Sequence, residues 1–316
     1  MDEKRNVVLV GTGFVGMSMA YSLMNTGGID ELILIDIDDK KAEGEAMDIS
    51  DGLPHVKSHM KIVAGTYKDC ANADIVVITA GANQQPKQTR LELAEVNTRI
   101  MKDITKNIMQ SGFNGIIIVA SNPVDLMTYV VQKVSGLPSS KVIGTGTLLD
   151  TARLRYKLSQ ALKITPKNVH AYILGEHGDS SFASWSNSYI GCMKINDFLD
   201  DHGINDSLLE KIYKQVKEAA YEIIERKKAT YYGIGLSLNR LIQAILDDEN
   251  AILTVSCKQN GEYIDDDIYI GAPAVINRSG IKEVVKLRLK DDEFYKFEKS
   301  CHQLLEIIDT IIEPII

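Results

Sequence analysis

Residues 6–36 read NVVLVGTGFVGMSMAYSLMNTGGIDELILID, and few folds accommodate that run. No charge occurs from Asn6 to Ile29, and Lys4 and Arg5 precede the stretch, so a membrane span or secretory signal has to be weighed. Five glycines and the polar Ser18, Ser22, Asn25 and Thr26 interrupt it, which suits neither. A buried strand (NVVLV, 6–10), a glycine turn, a buried helix to about Met24 and a second strand (ELILID, 31–36) account for it better.

The turn itself is Gly11-Thr12-Gly13-Phe14-Val15-Gly16, and Asp36 stands twenty residues beyond its last glycine. GxGxxG alone is weak, but here it follows a strand, opens a helix and is answered by an acid ending the next strand. Each part has a physical task. Gly11 permits the tight turn, Gly13 lets backbone amides approach a pyrophosphate, and Gly16 lets the helix lie close on the sheet. Asp36 is placed to accept hydrogen bonds from a ribose and to repel a 2′-phosphate, favouring NAD over NADP. A merely structural glycine-rich turn is the alternative.

Further Val/Ile runs follow: KIVAG (61–65), DIVVIT (74–79), GIIIVA (115–120) and KVIGTG (141–146). Continuous apolar runs without alternation indicate strands covered on both faces, as in a parallel sheet. Leu93, Val96, Ile100, Ile104 and Ile108 recur at helical spacing and predict an intervening helix with that face buried. After about residue 145 the character changes. Helices over 147–162, 205–226 and 231–247 surround a β-rich section in which Asn260-Gly261 signals a hairpin, and an amphipathic helix ends the chain. No linker-like stretch separates the halves, so two tightly packed lobes with a cleft between them are expected.

Composition narrows the partners. With 316 residues, 45% of them hydrophobic, the chain can bury a sizeable core. Its net charge of −8, with lysines and arginines scattered, argues against nucleic acid or an anionic membrane. Cys70, Cys192, Cys257 and Cys301 show no CxxC spacing and no histidine at ligand distance, so reduced thiols in a cytoplasmic protein, and no metal, are expected.

Three stretches carry candidate chemistry. ILGEHGDSS (173–181) holds His177 between glycines at a strand end, where backbone can approach a substrate; a structural histidine fits as well. LLDTARLR (148–155) puts Asp150 and Arg153 on one helix face. Arg153 could grip a carboxylate through two parallel bonds and Asp150 could orient an imidazole, although spacing alone favours an inconsequential ion pair. SNPVD (121–125) follows a strand, and Asn122 presents an amide at the carboxyl edge of the sheet or serves as a helix N-cap.

Taken together, GTGFVG, LILID, TAGANQQPKQTR, VASNPVD, LLDTARLR, ILGEHGDS and KKATYYGIG resemble the lactate/malate dehydrogenase family, in its order and spacing and over nearly the whole chain. Within that family the pattern is similar to bacterial L-lactate dehydrogenases. The resemblance implies a Rossmann-type doubly wound parallel sheet in an NAD-binding domain (1–145), followed by an α+β substrate domain (146–316). It implies reversible hydride transfer between NADH and pyruvate in fermentative glycolysis, with His177 donating the proton, Asp150 orienting it and Arg153 holding the substrate carboxylate. Arg90 would ride a mobile loop and polarise the carbonyl. Asn122 would contact substrate and nicotinamide ribose, with Asp125 nearby, and Thr230 would shape the pocket. The cofactor set gains Val15, Lys41, Tyr67, Gly81, Ala82 and Thr145 beside the glycines, Asp36 and Asn122.

Gln84 matches the position that selects the side chain of the substrate. An uncharged residue there leaves the second carboxylate of oxaloacetate unpaired and costly to desolvate, so pyruvate is favoured. Malate or an L-2-hydroxyisocaproate-type acid is the alternative substrate. A non-catalytic NAD-binding protein or a related NAD-dependent glycoside hydrolase is the alternative of another class. Arg155 and His170 match the positions at which some bacterial members bind fructose 1,6-bisphosphate across a subunit interface, and the resemblance implies a homotetramer. Two departures stand out: the loop reads PKQT where a glycine and an acid are usual, and Lys228 replaces a usual glycine.

Overall fold

The first strand lies at the centre of the sheet because nothing in it tolerates water: Val7, Val8 and Leu9 are fully buried. The computed structural model describes residues 5–82 and 89–316, with Arg90 described by its backbone only. In chain order the first half comprises β1 (Asn6–Val10), α1 (Phe14–Thr26), β2 (Glu31–Ile35), α2 (Asp39–Asp51), β3 (Lys61–Ala64), β4 (Ile75–Ile78), α3 (Arg90–Gln110), β5 (Ile116–Val119), α4 (Val124–Ser135) and β6 (Val142–Gly144). These strands pair in parallel in the order β3-β2-β1-β4-β5-β6. That is the doubly wound arrangement expected, and its order reverses between β1 and β4.

The rest of the chain follows with α5 (Leu148–Leu162), β7 (Val169–His170), β8 (Ile173–Leu174), β9 (Phe182–Ala183), β10 (Tyr189–Ile190), β11 (Met193–Lys194), α6 (Ile195–Asp201), α7 (Ser207–Lys227) and α8 (Tyr232–Leu246). β12 (Ala251–Lys258), β13 (Tyr269–Asn277), β14 (Gly280–Val284) and α9 (Asp291–Ile307) complete it. β12, β13 and β14 form an antiparallel meander, and β12 joins β6 through the single pair Ser256–Gly144. The sheet therefore runs unbroken through nine strands rather than stopping where the composition changes. One large apolar cluster spans it, and a smaller one, including Leu154, Leu158, Ile173, Ile212 and Val216, lies between α5, α7 and the short strands.

Two local expectations shift. The buried face of α3 carries Leu93, Ala94, Asn97, Thr98, Met101, Ile104 and Ile108, while Val96 is 41% exposed. The face is rotated toward Ala94, Asn97 and Thr98, where α3 packs against α4 and Asn97 hydrogen-bonds the loops after β4 and β5. Asn260-Gly261 does lie in the β12–β13 hairpin, but as one end of the connection 259–268 rather than as a two-residue turn. Tyr263 and Ile268 from that connection are buried, Tyr263 lying 4.6 Å from the Phe297 ring of α9, so core burial draws the loop out.

Lys228 caps α7 at φ +72°, a left-handed conformation that only glycine adopts without strain. Lys228→Gly removes a penalty of about 1–2 kcal/mol and adds roughly 0.5–1 kcal/mol of unfolded-chain entropy. The expected result is a stabilisation of about 0.5–1 kcal/mol, read as a higher urea midpoint at unchanged slope. An unchanged or lowered midpoint contradicts it.

Candidate active site

The expected ligand residues converge on the carboxyl edge of the parallel strands. Gly11 follows β1, Asp36 follows β2, Gly81 and Ala82 follow β4, Asn122 follows β5 and Thr145 follows β6. The crevice where strand order reverses is where such sheets bind ligands, because two loops diverge there and leave a groove.

The three glycines answer to different demands. Gly11 has φ +101°, and a Cβ there would meet the Ala80 nitrogen at 2.6 Å. At Gly16 a Cβ would stand 2.2 Å from the Gly11 carbonyl oxygen, which also accepts from the Thr79 hydroxyl at 2.7 Å. Gly13 is unlike either: a Cβ there meets nothing within 4 Å. Packing within the protein does not call for glycine at that position, whereas an anion approaching the amino end of α1 from outside does. On this observation a dinucleotide fits the loop. Val15 is half-buried in the first turn of α1 and packs on the core.

Asp36 accepts from the backbone amide and the hydroxyl of Thr12, both at 2.7 Å, and from the amide of Asp38 at 3.2 Å. Lys41 reaches it at 3.5 Å. Burial by itself would push its carboxyl up, but the bonds from Thr12 and Asp38 and the charge of Lys41 outweigh this and hold it below the ordinary range. Burial, with smaller contributions from Cys70 and the charge of Asp36, pushes the phenol of Tyr67 up. Thr145 is buried, its amide donating to the Val119 carbonyl at 2.9 Å.

Asn97, which sequence reasoning missed, ties two of these loops together. From the buried face of α3 its carboxamide oxygen accepts from the Ala82 amide at 2.7 Å, and its nitrogen donates to the carbonyls of Ala82 (3.2 Å) and Asn122 (2.6 Å). The available signal was an amide on an otherwise apolar helix face, at 1% exposure. Asn122 is exposed at this edge, and Pro123 rather than Asn122 takes the cap position of α4.

His177 lies in the loop that follows β8. Its Nδ1 is 2.6 Å from Asp150 Oδ2, and Arg153 Nη1 donates to Asp150 Oδ1 at 3.0 Å. The spacing that alone suggested a surface ion pair has produced a buried one, with Asp150 and Arg153 side chains 15% exposed. An ionised carboxylate can only accept, so Nδ1 carries a proton and Nε2 is the exchangeable atom. Burial would lower the pKa of His177. The charge and hydrogen bond of Asp150, with a further contribution from Asp125, overcome that and raise it. Asp150 is likewise opposed by burial and held low by His177 and Arg153. It also sits in the first turn of α5, where the helix terminus favours negative charge. Neither His177 Nε2 nor the rest of the Arg153 guanidinium has a hydrogen-bond partner among the described residues. An imidazolium and a guanidinium fork held by one carboxylate can serve a ketone and an acid group of one small molecule.

The loop bearing His177 is stitched on every side. Gly175 exchanges backbone bonds with Gly271 of β13 at 3.0 and 3.1 Å, and a Cβ on Gly271 would crowd the Gly175 oxygen at 2.6 Å. The Glu176 amide donates to Ser300 of α9 at 2.7 Å, and the His177 amide to Asp125 Oδ2 of α4 at 2.7 Å. Lys217 of α7 binds the Asp179 carbonyl at 2.7 Å, and Tyr213 the Ser181 carbonyl. Asp125, expected near the substrate, is 2% exposed, with its carboxylate under the His177 loop. A carboxylate that accepts a backbone amide is drawn inward where that amide is buried, and burial pushes its pKa up to about 6. The rise from 3.8, at about 1.4 kcal/mol per pH unit, means that ionisation costs the fold roughly 3 kcal/mol at pH 7. That cost is absent below about pH 4 and complete above pH 6, so stability from this group falls as pH rises.

Thr230 lies half-buried in the segment between α7 and α8. Arg155 Nε donates to the Ala171 carbonyl at 3.1 Å, and its guanidinium carbon is 5.2 Å from the Tyr172 ring. His170 is exposed and adjoins Ala171, so the fold brings the pair to one neighbourhood. Gln84 and the side chain of Arg90 lie outside the described residues; the backbone of Arg90 opens α3 after a capping box of Thr89 and Glu92.

A nucleotide-type crevice beside an Asp–His pair and an arginine fork defines the class, and the chain belongs to the lactate/malate dehydrogenase family. Residues 5–144 match the family's NAD binding domain and residues 147–314 its alpha/beta C-terminal domain. It is 52% identical over 307 residues to L-lactate dehydrogenase 2 of Bacillus cereus, covering 97% of this chain and 98% of that one. It is 50% identical over 310 residues to an L-lactate dehydrogenase of Lactococcus lactis subsp. cremoris, covering 97% and 98%. Among solved structures, a lactate dehydrogenase from a Medee basin deep-sea metagenome library superimposes with TM-score 0.95 at 54% identity over 97% of this chain and 98% of that one. The minor L-lactate dehydrogenase of Enterococcus mundtii in its ligands-bound form gives 0.95 at 47% identity over 98% and 99%.

Proposed function

We propose that this protein is an NAD-dependent L-lactate dehydrogenase interconverting pyruvate and (S)-lactate. The observation that carries the reading is the buried Asp150 carboxylate, which holds His177 Nδ1 on one oxygen and Arg153 on the other. His177 Nε2 delivers the proton to the carbonyl oxygen, and the open fork of Arg153 takes the substrate carboxylate in two parallel bonds. NADH, when bound, supplies the hydride. Gly11, Gly13, Val15, Gly16, Asp36, Lys41, Tyr67, Gly81, Ala82, Asn122 and Thr145 hold the cofactor. Arg90 polarises the carbonyl, Asn122 and Thr230 border the substrate, and the uncharged Gln84 selects pyruvate. We divide the chain into a cofactor domain (1–145) and a substrate domain (146–316).

The same proposal includes a homotetramer in the cytoplasm, working in fermentative glycolysis. Tyr21 on α1, Met47 on α2, and Tyr232 and Leu236 on α8 are large apolar residues left more than 60% exposed, which suits burial by further subunits. Among the described residues no helix is long and apolar enough to cross a membrane. The proximity of Arg155 to the residue beside His170 supports fructose 1,6-bisphosphate as an activator, since arginine grips phosphate and protonated histidine adds charge.

One experiment tests both levels: NADH oxidation with pyruvate, oxaloacetate and 2-oxoisocaproate, each with and without the bisphosphate. The expected result is pyruvate turned over with the highest kcat/KM, and a lower pyruvate KM with the effector. Preference for oxaloacetate or 2-oxoisocaproate contradicts the substrate; no response at subsaturating pyruvate removes the activator.

A further inference from the structure

Asp125 is a charged side chain beneath the site whose hydrogen bond is to the main chain of His177 rather than to its ring. It approaches from α4 and accepts the His177 backbone amide through Oδ2 at 2.7 Å. Its other oxygen, Oδ1, is buried and has no hydrogen-bond partner among the described residues. The Ser256 hydroxyl of β12, also buried and unpartnered, faces the carboxyl closely enough to favour its charged form. An ionisable group kept at such expense directly under a proton donor calls for an explanation beyond packing.

We propose that Asp125 is a positioning residue for the reaction, fixing the His177 backbone through Oδ2 and setting a second carboxylate beneath the imidazole. This rests on the assignment of His177 as proton donor. Asp150 fixes the ring from the side, and Asp125 fixes the main chain from below. The two carboxylates therefore act on different atoms of one residue.

The charge balance around the pair is bounded. His177 is faced by Asp150 and Arg153 from α5 and by Asp125 from α4. Asp125 is faced by Glu176 on the histidine's own loop, which opposes its ionisation, and by His177, which favours it. The thiols of Cys257 on β12 and Cys301 on α9 are pushed up chiefly by burial and in part by Asp125. Tyr213 of α7 lies within the field of Asp150. With a pKa of about 6, Asp125 is ionised across the range in which His177, raised above its ordinary value, loses its proton. Removing the Asp125 charge must therefore move the His177 titration downward.

The test is the pH dependence of kcat/KM for pyruvate reduction in Asp125→Asn. The amide keeps an acceptor for the His177 N–H and offers its nitrogen to the free Ser256 oxygen, so the loop anchor survives while the charge does not. The alkaline limb is expected to move to lower pH by about half a unit. A uniform fall in kcat with the limb in place means a structural anchor only and overturns the proposal, as does an unaltered profile. Should Asp125→Asn prove insoluble, Ser256→Ala takes its place: losing the hydroxyl disfavours the Asp125 charge and must move the limb the same way, and a fixed limb there also overturns it. His177→Asn is run alongside. Retained turnover in that variant removes the assignment of His177 itself, whereas its inactivity with an unshifted Asp125→Asn limb removes this inference alone.

Discussion

Asp150→Asn is expected to lower kcat for pyruvate reduction by about a hundredfold to ten-thousandfold without unfolding the protein. Both oxygens of Asp150 are already in use as acceptors, one from Arg153 at 3.0 Å and the other from His177 Nδ1 at 2.6 Å. An amide has one acceptor and one donor end, so it must turn its NH2 against either the guanidinium or the imidazole. Facing the imidazole, it forces the tautomer that leaves Nδ1 bare. Facing the guanidinium, it abandons the anchor of the substrate fork. In both orientations the charge that keeps His177 protonated is gone.

The pH dependence follows in sign. A raised histidine pKa means that the proton donor is present below it and lost as pH rises through it. Pyruvate reduction therefore declines on the alkaline side, and lactate oxidation, which needs neutral His177, gains there. In Asp150→Asn the alkaline limb of reduction moves to lower pH as well. A kcat within threefold of the parent between pH 6 and 9 would show that Asp150 does not support the reacting histidine.

Arg153→Lys is the second large effect, expected as a fall of about a hundredfold in kcat/KM carried mainly by KM. Lysine can still pair with Asp150, so the local charge and the fold are retained. What it lacks is the planar fork whose remaining N–H groups match the two oxygens of a carboxylate. Losing one charge-assisted hydrogen bond costs about 1.5–3 kcal/mol, which at the upper end is two orders of magnitude. A pyruvate KM within threefold of the parent would place the substrate carboxylate elsewhere.

Much of this site was readable before any coordinates, and the reason differs from residue to residue. Gly11, Gly13, Gly16 and Asp36 are constrained by local backbone geometry and by their place at strand ends, and both leave marks at fixed sequence spacing. The apolar runs likewise marked all six parallel strands, since burial on both faces demands continuous Val and Ile. Asp150 and Arg153 were less legible, because i,i+3 spacing is the same for a surface pair and a buried one. Only the packing of α5 against the smaller core cluster makes theirs the latter. Asn97 and Asp125 could not be assigned their contacts at all. Asn97 bridges residues 15 and 25 positions away, and Asp125 binds an amide 52 positions on.

The chain's own order of residues settled which strands are central, where the glycine turn lies and which acid, imidazole and guanidinium side chains the site can draw on. Those properties follow from periodicity, glycine geometry and side-chain chemistry, all of which act over a few neighbouring residues. The tertiary structure alone decided that the sheet continues through β12, that α3 turns an asparagine rather than a valine inward, and that Asp125 binds the main chain of His177. Each of these depends on which distant groups share a buried space, where an unmatched donor or charge costs kilocalories, and that accounting has no counterpart in local spacing.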